Sequence, residues 1–339
     1  MANAKLSELR KKVRPFEDAD DKASSKQMMN TLPPFFALWV IAYFSLSISV
    51  WIAIPIAVIA AGFLVRIFII FHDCCHGSFF KNRKLNNFVG TVTGILTMFP
   101  YSKWKREHAI HHATSSNLNK RGTGDVWIMT VDEYLKSSAL ERLQYRLYRN
   151  PIVMFGLGPI YMLFITNRMN RKDAKKAERR NTYLTNVMIL GISLLLIWLI
   201  GFYAFFVIQF TIMFVSGMAG IWLFYVQHQF EDSYFEDESE WDYVKAAIDG
   251  SSYYKLPRVL QWLTGNIGYH HVHHLSPKVP NYHLETVHEQ TPPLQEATTI
   301  TLRSSLKSIK FRLYDERKKT FVSFKEIKQM MRHNQTVNY

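Results

Sequence analysis

The stretch IAIPIAVIAAGFLVRIFIIFHDCCH, residues 52–76, is an apolar run broken only by Arg66, and it ends on two histidines four positions apart. Twenty helical residues at about 1.5 Å each match a hydrocarbon core of about 30 Å. Residues 52–71 therefore read as a membrane-crossing helix with His72 and His76 just past its end. Upstream, residues 32–50 form a second charge-free run, and the connection around Ser49 and Trp51 carries no charge. The two runs make a hairpin whose turn can be translocated.

Downstream, residues 184–200 and 202–226 repeat the pattern and give a second hairpin. Residues 88–99 are apolar but too short to span, and residues 151–165 are short and contain Gly156, Gly158 and Pro159; both read as interfacial or re-entrant helices. Parity supports leaving them out. If the histidine clusters described next share one site, an even number of spans must separate each pair. The fold class expected is an all-α integral membrane protein, with four transmembrane helices in two hairpins, short interfacial helices, and a cytoplasmic helical cap with helices near 243–249 and 257–263. Its organisation would be an amphipathic cytoplasmic lead-in over 1–30, a membrane domain over 31–283 and a cytoplasmic C-terminal tail over 284–339.

Composition fits this reading. Of 339 residues 48% are hydrophobic, and Lys plus Arg exceeds Asp plus Glu by 41 to 27, a net charge of +14. The mean hydropathy of −0.07 averages very apolar and very charged segments. Such a surplus suits nucleic acid, anionic lipid or an acidic protein. Here the basic residues from Lys81 to Arg180 fall in the proposed cytoplasmic segments and the outer turns have none. That is the positive-inside pattern of a membrane protein, so no nucleic-acid partner is expected. The lead-in is too polar for a signal peptide. Cys74 and Cys75 are the only cysteines, and adjacent cysteines make a poor disulfide, which points to a reducing compartment.

Nine of thirteen histidines fall in three boxes: HDCCH at 72–76, HAIHH at 108–112 and HHVHH at 270–274. On a helix, positions i, i+3 and i+4 share a face. His72 and His76, then His108, His111 and His112, then His270, His273 and His274 can therefore each address a metal, while His271 falls off the pattern. Eight imidazoles exceed the four ligands of a structural zinc site and imply two ions, though imidazole suits iron, zinc, copper or nickel alike. HExxH is absent, which weakens an intramembrane zinc protease. Asp73, Glu107, Asp125, Glu231 and Asp232 are candidate acceptors for the outer ring N–H of ligating histidines, Asp125 the best of them. Asn266, four before His270, could hold a metal-bound water if that turn is helical. Arg66 either snorkels to the interface or pairs with Asp73. His283, His288 and His333 have no ligand partner at helical spacing.

HDCCH, HAIHH and HHVHH, in this order around two hairpins, resemble the three histidine boxes of the membrane fatty acid desaturases. The stretches 108–125 and 265–282 are similar to bacterial acyl-lipid desaturases of the Bacillus Δ5 type, with similarity over about 31–282 and more loosely to Phe324. The resemblance implies two iron ions in a non-haem diiron centre that uses O2 to remove hydrogen from adjacent methylene carbons. It also implies a further ligand at the end of the last span, where His228 stands. Acyl chains of membrane lipids would be the substrate, with acyl-CoA open, and the plasma membrane the location. No HPGG haem motif, cluster-binding cysteine set or GxGxxG is present, so electrons would come from a separate protein, ferredoxin or flavodoxin. Two other readings stand beside this one. A membrane diiron hydroxylase would use the same boxes, and a divalent-cation transporter would place ionisable groups inside its spans, where the first, third and fourth have none.

Overall fold

The computed structural model of the protein describes residues 2–329. It is mostly helical. After α1 (Ala2–Val13) and α2 (Asp21–Met29), the first apolar run forms α3 (Leu32–Ser45) and the second forms α4 (Val50–His76). The turn lies at 46–49, so the first helix ends five residues before the expected boundary at 50. Ser49 starts the next helix by accepting the N–H of Trp51, which fixes the break there. At 27 residues, α4 is about 40 Å long, some two turns longer than the hydrocarbon core. That surplus carries His72 and His76 beyond it.

Helix α5 (Arg83–Leu96) is amphipathic in an unusual sense. Asn86, Val89, Gly90, Thr93 and Gly94 face the protein, while Leu85, Phe88 and Val92 are exposed on the other side. This is the pattern of a helix lying in the bilayer interface. Helix α6 (Tyr101–Thr114) follows, then α7 (Val131–Lys136) and α8 (Ala139–Tyr148), each of the last two opened by a complete capping box. The short apolar run 151–165 forms a wide-turned segment Ile152–Leu157 and α9 (Gly158–Phe164), bent 62° from α8.

The second hairpin is α10 (Lys176–Ile200) and α11 (Phe202–His228). Here α10 begins eight residues before the apolar run at 184, because Lys176, Ala177, Glu178, Arg179 and Arg180 are good helix formers that hydropathy cannot see. Among the described residues, four helices are long and apolar enough to cross a membrane: Asp21–Ser45, which joins α2 to α3, together with α4, α10 and α11. The bent pair α8–α9 would be a fifth only if counted as one span.

Ala53, Ala57, Ala60 and Ala61 make one buried face of α4, against which α3 and α11 approach closely with Phe35, Ala42, Ile208 and Ile212. Small residues at helix contacts are how membrane helices pack when no hydrophobic drive separates protein from lipid. Helix α10 is nearly all exposed, with Leu190, Leu194 and Trp198 facing out. A row this apolar is stable only against hydrocarbon.

Beyond α11 the chain folds as a cap: α12 (Tyr243–Ile248), β1 (Tyr253–Lys255), α13 (Arg258–Leu263), α14 (His270–Leu275), α15 (Leu284–Gln290), β2 (Thr299–Thr301) and α16 (Leu302–Ser305). The expected helices near 243–249 and 257–263 are α12 and α13. The cap is not wholly helical. Strand β1 pairs in parallel with β2, and β3 (Leu313–Asp315) pairs antiparallel with β4 (Thr320–Val322). Three-residue strands carry too little alternation to read from sequence.

Both flanking segments pack on this cap. Leu9 and Val13 of α1 join Val272, Leu275, Val279, Leu284 and Val287 in one core beneath the third box. Ser276 donates to Glu17 at 2.7 Å and the Asp20 N–H to the Tyr282 hydroxyl at 2.9 Å. At the other end Leu313, Val322 and Ile327 pack on Tyr134 and Tyr145.

Candidate metal centre

Four elements bring the histidines together. The last turn and a half of α4 presents His72 and His76, and Gly77 at φ 70° ends the helix immediately after. Helix α6 presents His108, His111 and His112 on one face, and His228 is the last residue of α11. The third box lies on the six-residue α14, reached through a tight turn with Gly265 at φ 53° and Asn266 at φ 59°. Gly268 is fixed sterically, since a Cβ there would stand 2.4 Å from the Tyr254 carbonyl oxygen.

The ring nitrogens converge. His72 Nε2 lies 3.0 Å from His108 Nε2, which lies 3.0 Å from His112 Nε2, which lies 2.9 Å from His273 Nε2. His270 Nε2 lies 2.9 Å from His228 Nε2 and 3.2 Å from His274 Nε2. Two donor groups result: His72, His76, His108, His112 and His273 in one, and His111, His228 and His274 in the other, with atoms in each group within 4.8 Å of one another. His270 adjoins the second through His228 and His274. Metal–imidazole distances are about 2.1 Å, so two donors at a right angle around one ion lie about 3.0 Å apart. The observed spacings have that value.

Neutral imidazoles cannot satisfy one another in this arrangement. The Nδ1 protons of His72, His111 and His228 point outward, to Asp73 Oδ1 at 2.9 Å, Asp125 Oδ1 at 2.6 Å and the Gly250 carbonyl at 3.1 Å. That leaves bare Nε2 lone pairs facing inward. His76 Nε2 and His111 Nε2 are buried with no hydrogen-bond partner at all. Burial, reinforced by neighbouring imidazoles, holds His108, His112, His270, His273 and His274 well below the usual histidine range, so all five are neutral at pH 7. Converging lone pairs in a buried site are stabilised by a cation between them. The donor set fits a pair of imidazole-ligated metal ions.

Of the acceptors read from sequence, Asp73 and Asp125 touch box histidines. Asp73 is itself held, since Asn281 donates both its backbone N–H (2.7 Å) and its Nδ2 (2.8 Å) to Asp73 Oδ2. Glu231 and Asp232 are exposed, and Glu107 sits among Lys103, Arg171 and Arg106, its carboxyl pushed up by burial.

Two expectations are corrected, those for Asn266 and Arg66. Asn266 is not on a helix with His270, because its left-handed backbone turns the chain and its Nδ2 donates to the Asn281 carbonyl instead. His271, off the ligand spacing, turns away from both groups and meets His288, Nε2 to Nδ1, at 3.1 Å, with burial lowering its pKa to about 3. His288, which has no ligand partner at helical spacing, belongs to neither group. Arg66 neither snorkels nor reaches Asp73. It is buried under Trp262, 4.0 Å from the ring centroid, and donates to the Trp262 carbonyl and to Thr31 Oγ1. His333 lies outside the described residues.

Sequence reading missed Asn281, the Gly250 carbonyl and Trp104, which stacks on His108 at 4.1 Å. Trp104 stands four before His108, a spacing that could have found it.

Replacing Asp125 by Asn keeps the shape and removes the negative acceptor of the His111 Nδ1–H. Changes of this outer-shell kind cost about 10–100-fold in metal affinity or activity. We expect a loss in that range for Asp125→Asn, read as bound metal per chain and as turnover. Wild-type values in both would show that Asp125 does not orient His111.

Comparison with known proteins agrees with this geometry. Residues 49–304 match the family described as fatty acid desaturase. The chain is 57% identical over 326 residues to a fatty acid desaturase of Bacillus subtilis, covering 96% of this chain and 93% of that one. It is 27% identical over 299 residues to the sn-1 oleoyl-lipid 12-desaturase of Synechocystis, covering 85% and 81%. It is 25% identical over 297 residues to the chloroplastic omega-6 fatty acid desaturase of spinach, covering 81% and 60%.

Proposed function

Because the chain belongs to the fatty acid desaturase family, we propose that it introduces a cis double bond into the acyl chains of membrane lipids, at a centre of two iron ions held by its histidine boxes. The observation that supports this most directly is the gathering of nine imidazoles into two adjoining donor groups. In this reading His72, His76, His108, His112 and His273 hold one ion, and His111, His228, His270 and His274 the other. Bound iron would supply the activation of O2, so that two hydrogens from adjacent methylenes, two external electrons and two protons leave an alkene and two waters.

The chain's own residues prepare that chemistry. Asp73, Asp125 and the Gly250 carbonyl fix the Nδ1 tautomer of three histidines, so their Nε2 atoms stay free to bind metal. Phe68, Phe71 and Trp104 pack beside His72 and His108 and keep water from that side of the site. Such an arrangement suits a hydrocarbon substrate arriving from the bilayer.

Convergence of the boxes favours four crossings. A fifth, through α8 and α9, would put the third box across the membrane from the first two, although their nitrogens lie about 3 Å apart. The basic residues between Lys81 and Arg180 stand on the box side, which under the positive-inside rule is the cytoplasmic face of the cell membrane, with both termini there as well. That face suits an acidic electron donor of the ferredoxin or flavodoxin type. The Δ5 position rests on similarity to Bacillus-type enzymes alone.

Expression in bacteria that lack unsaturated lipids, followed by mass spectrometry, tests the proposal. New double bonds in lipid acyl chains are expected, and their location reads the regiochemistry. Hydroxylated chains would replace this reading with the hydroxylase, and saturated chains alone would overturn it.

A further inference from the structure

A small pocket opens beside the second histidine group. Val126, Ile128, Phe224 and Phe235 line it beside His111 and His228, with Arg121, Asp125 and Gln229 also in the lining. Apart from the ligand histidines, one lining residue has a buried side-chain atom without any protein partner: the hydroxyl of Ser116, a residue 7% exposed. Buried polar atoms are almost always hydrogen-bonded, and where no protein group serves, water does.

Ser116 is held there against its own preference. Its φ of 63° is left-handed, unfavourable for a residue with a side chain, and it is fixed by the Glu236 N–H donating to the Ser116 carbonyl at 3.0 Å. Gly250 lies against it, where a Cβ would stand 2.3 Å from the Ser116 hydroxyl and 2.5 Å from the Ala246 carbonyl oxygen. A left-handed backbone thus sets this hydroxyl in the pocket lining.

Resting on the reading that these nitrogens hold iron, we propose that the pocket is a port through which water-sized molecules exchange with the His111/His228 side of the centre, apart from the lipid-facing approach of the acyl chain. Each turnover takes up one O2 and releases two waters, molecules small enough for such a pocket. The apolar part of the lining passes O2 readily, and the Ser116 hydroxyl holds water in transit.

Azide is a probe of matching size. In purified, iron-loaded ferric protein its binding is followed by the charge-transfer absorption it produces, a readout that needs neither substrate nor turnover. Val126→Trp fills the pocket and should slow azide binding about tenfold, as gated association does, with iron per chain unchanged. Val126→Ala widens it and should speed binding. Wild-type rates in both variants would overturn the port; if Val126→Trp does not fold, an unchanged rate in Val126→Ala overturns it alone. Iron content separates the two layers of the argument. Wild-type protein free of iron would sink the metal reading and the port together, whereas iron-replete protein with unaltered azide kinetics would sink the port only.

Discussion

His273→Ala should abolish desaturation and release metal, while its neighbour's variant His271→Ala keeps both. His273 is central among the imidazoles: its Nε2 lies 2.9 Å from His112 Nε2, and its ring centroid lies 4.4 Å from that of His72 and 5.0 Å from that of His76. Truncation removes one of five donors from the first group and leaves the others around a hole. The loss should exceed the roughly 10–100-fold that outer-shell changes cost. His271, two residues earlier on the same short helix, faces His288 and no member of either group. The spans should insert as before in both variants, because Phe35, Ala42, Ala57, Ala61 and Ile208 form a core separate from the box residues. Iron per chain, turnover and membrane recovery measured together decide the matter. An active His273→Ala enzyme, or an inactive His271→Ala one, would refute the ligand assignment.

That contrast was half legible in the sequence. Helical spacing sets His270, His273 and His274 on one face and His271 off it, so the selection within the box follows from period 3.6 alone. The apolar runs were equally plain, because hydrocarbon imposes a length of about 20 residues. Their ends were not. The polar first turns of α10 are helix by propensity and invisible to hydropathy, and α3 stops at Ser45 because Ser49 caps the next helix. What sequence could not show at all is pairing across distance. Asn281 reaches Asp73 from 208 positions away, and Trp262 covers Arg66 from 196. Arg66 was read against its nearest charged neighbour on the same helix, and the cap intervened. The second donor group likewise needs Asp125, whose contact with His111 depends on a loop where Gly124 adopts φ 75° and a Cβ would stand 3.1 Å from the Glu107 carbonyl oxygen.

Removing the metal should make the protein acid-labile. His108, His112, His270, His273 and His274 are buried beside one another, and all five sit well below the free histidine value of 6.5. In the folded metal-free protein burial keeps them neutral to a lower pH than in the unfolded chain. Unfolded, each takes up a proton as the pH falls through about 6.5, so the unfolded state binds more protons and stability declines with falling pH. Each group contributes up to about 1.4 kcal/mol per pH unit below that point. Five such groups act in the same direction, which is large beside the ~5–15 kcal/mol that stabilises a typical domain. Bound metal opposes this, since it occupies the same lone pairs and must be displaced before a proton can enter. Metal-free protein in detergent should therefore melt normally at pH 7.5 and lose its transition by about pH 5.5, whereas metal-loaded protein should hold its melting temperature until the metal itself is released. Thermal unfolding at both pH values, with bound iron determined in parallel, checks both halves. A metal-free protein whose melting temperature is the same at pH 7.5 and 5.5 would mean that the boxes relax apart without metal, and that the convergence of their nitrogens is imposed by the ions and not by the fold.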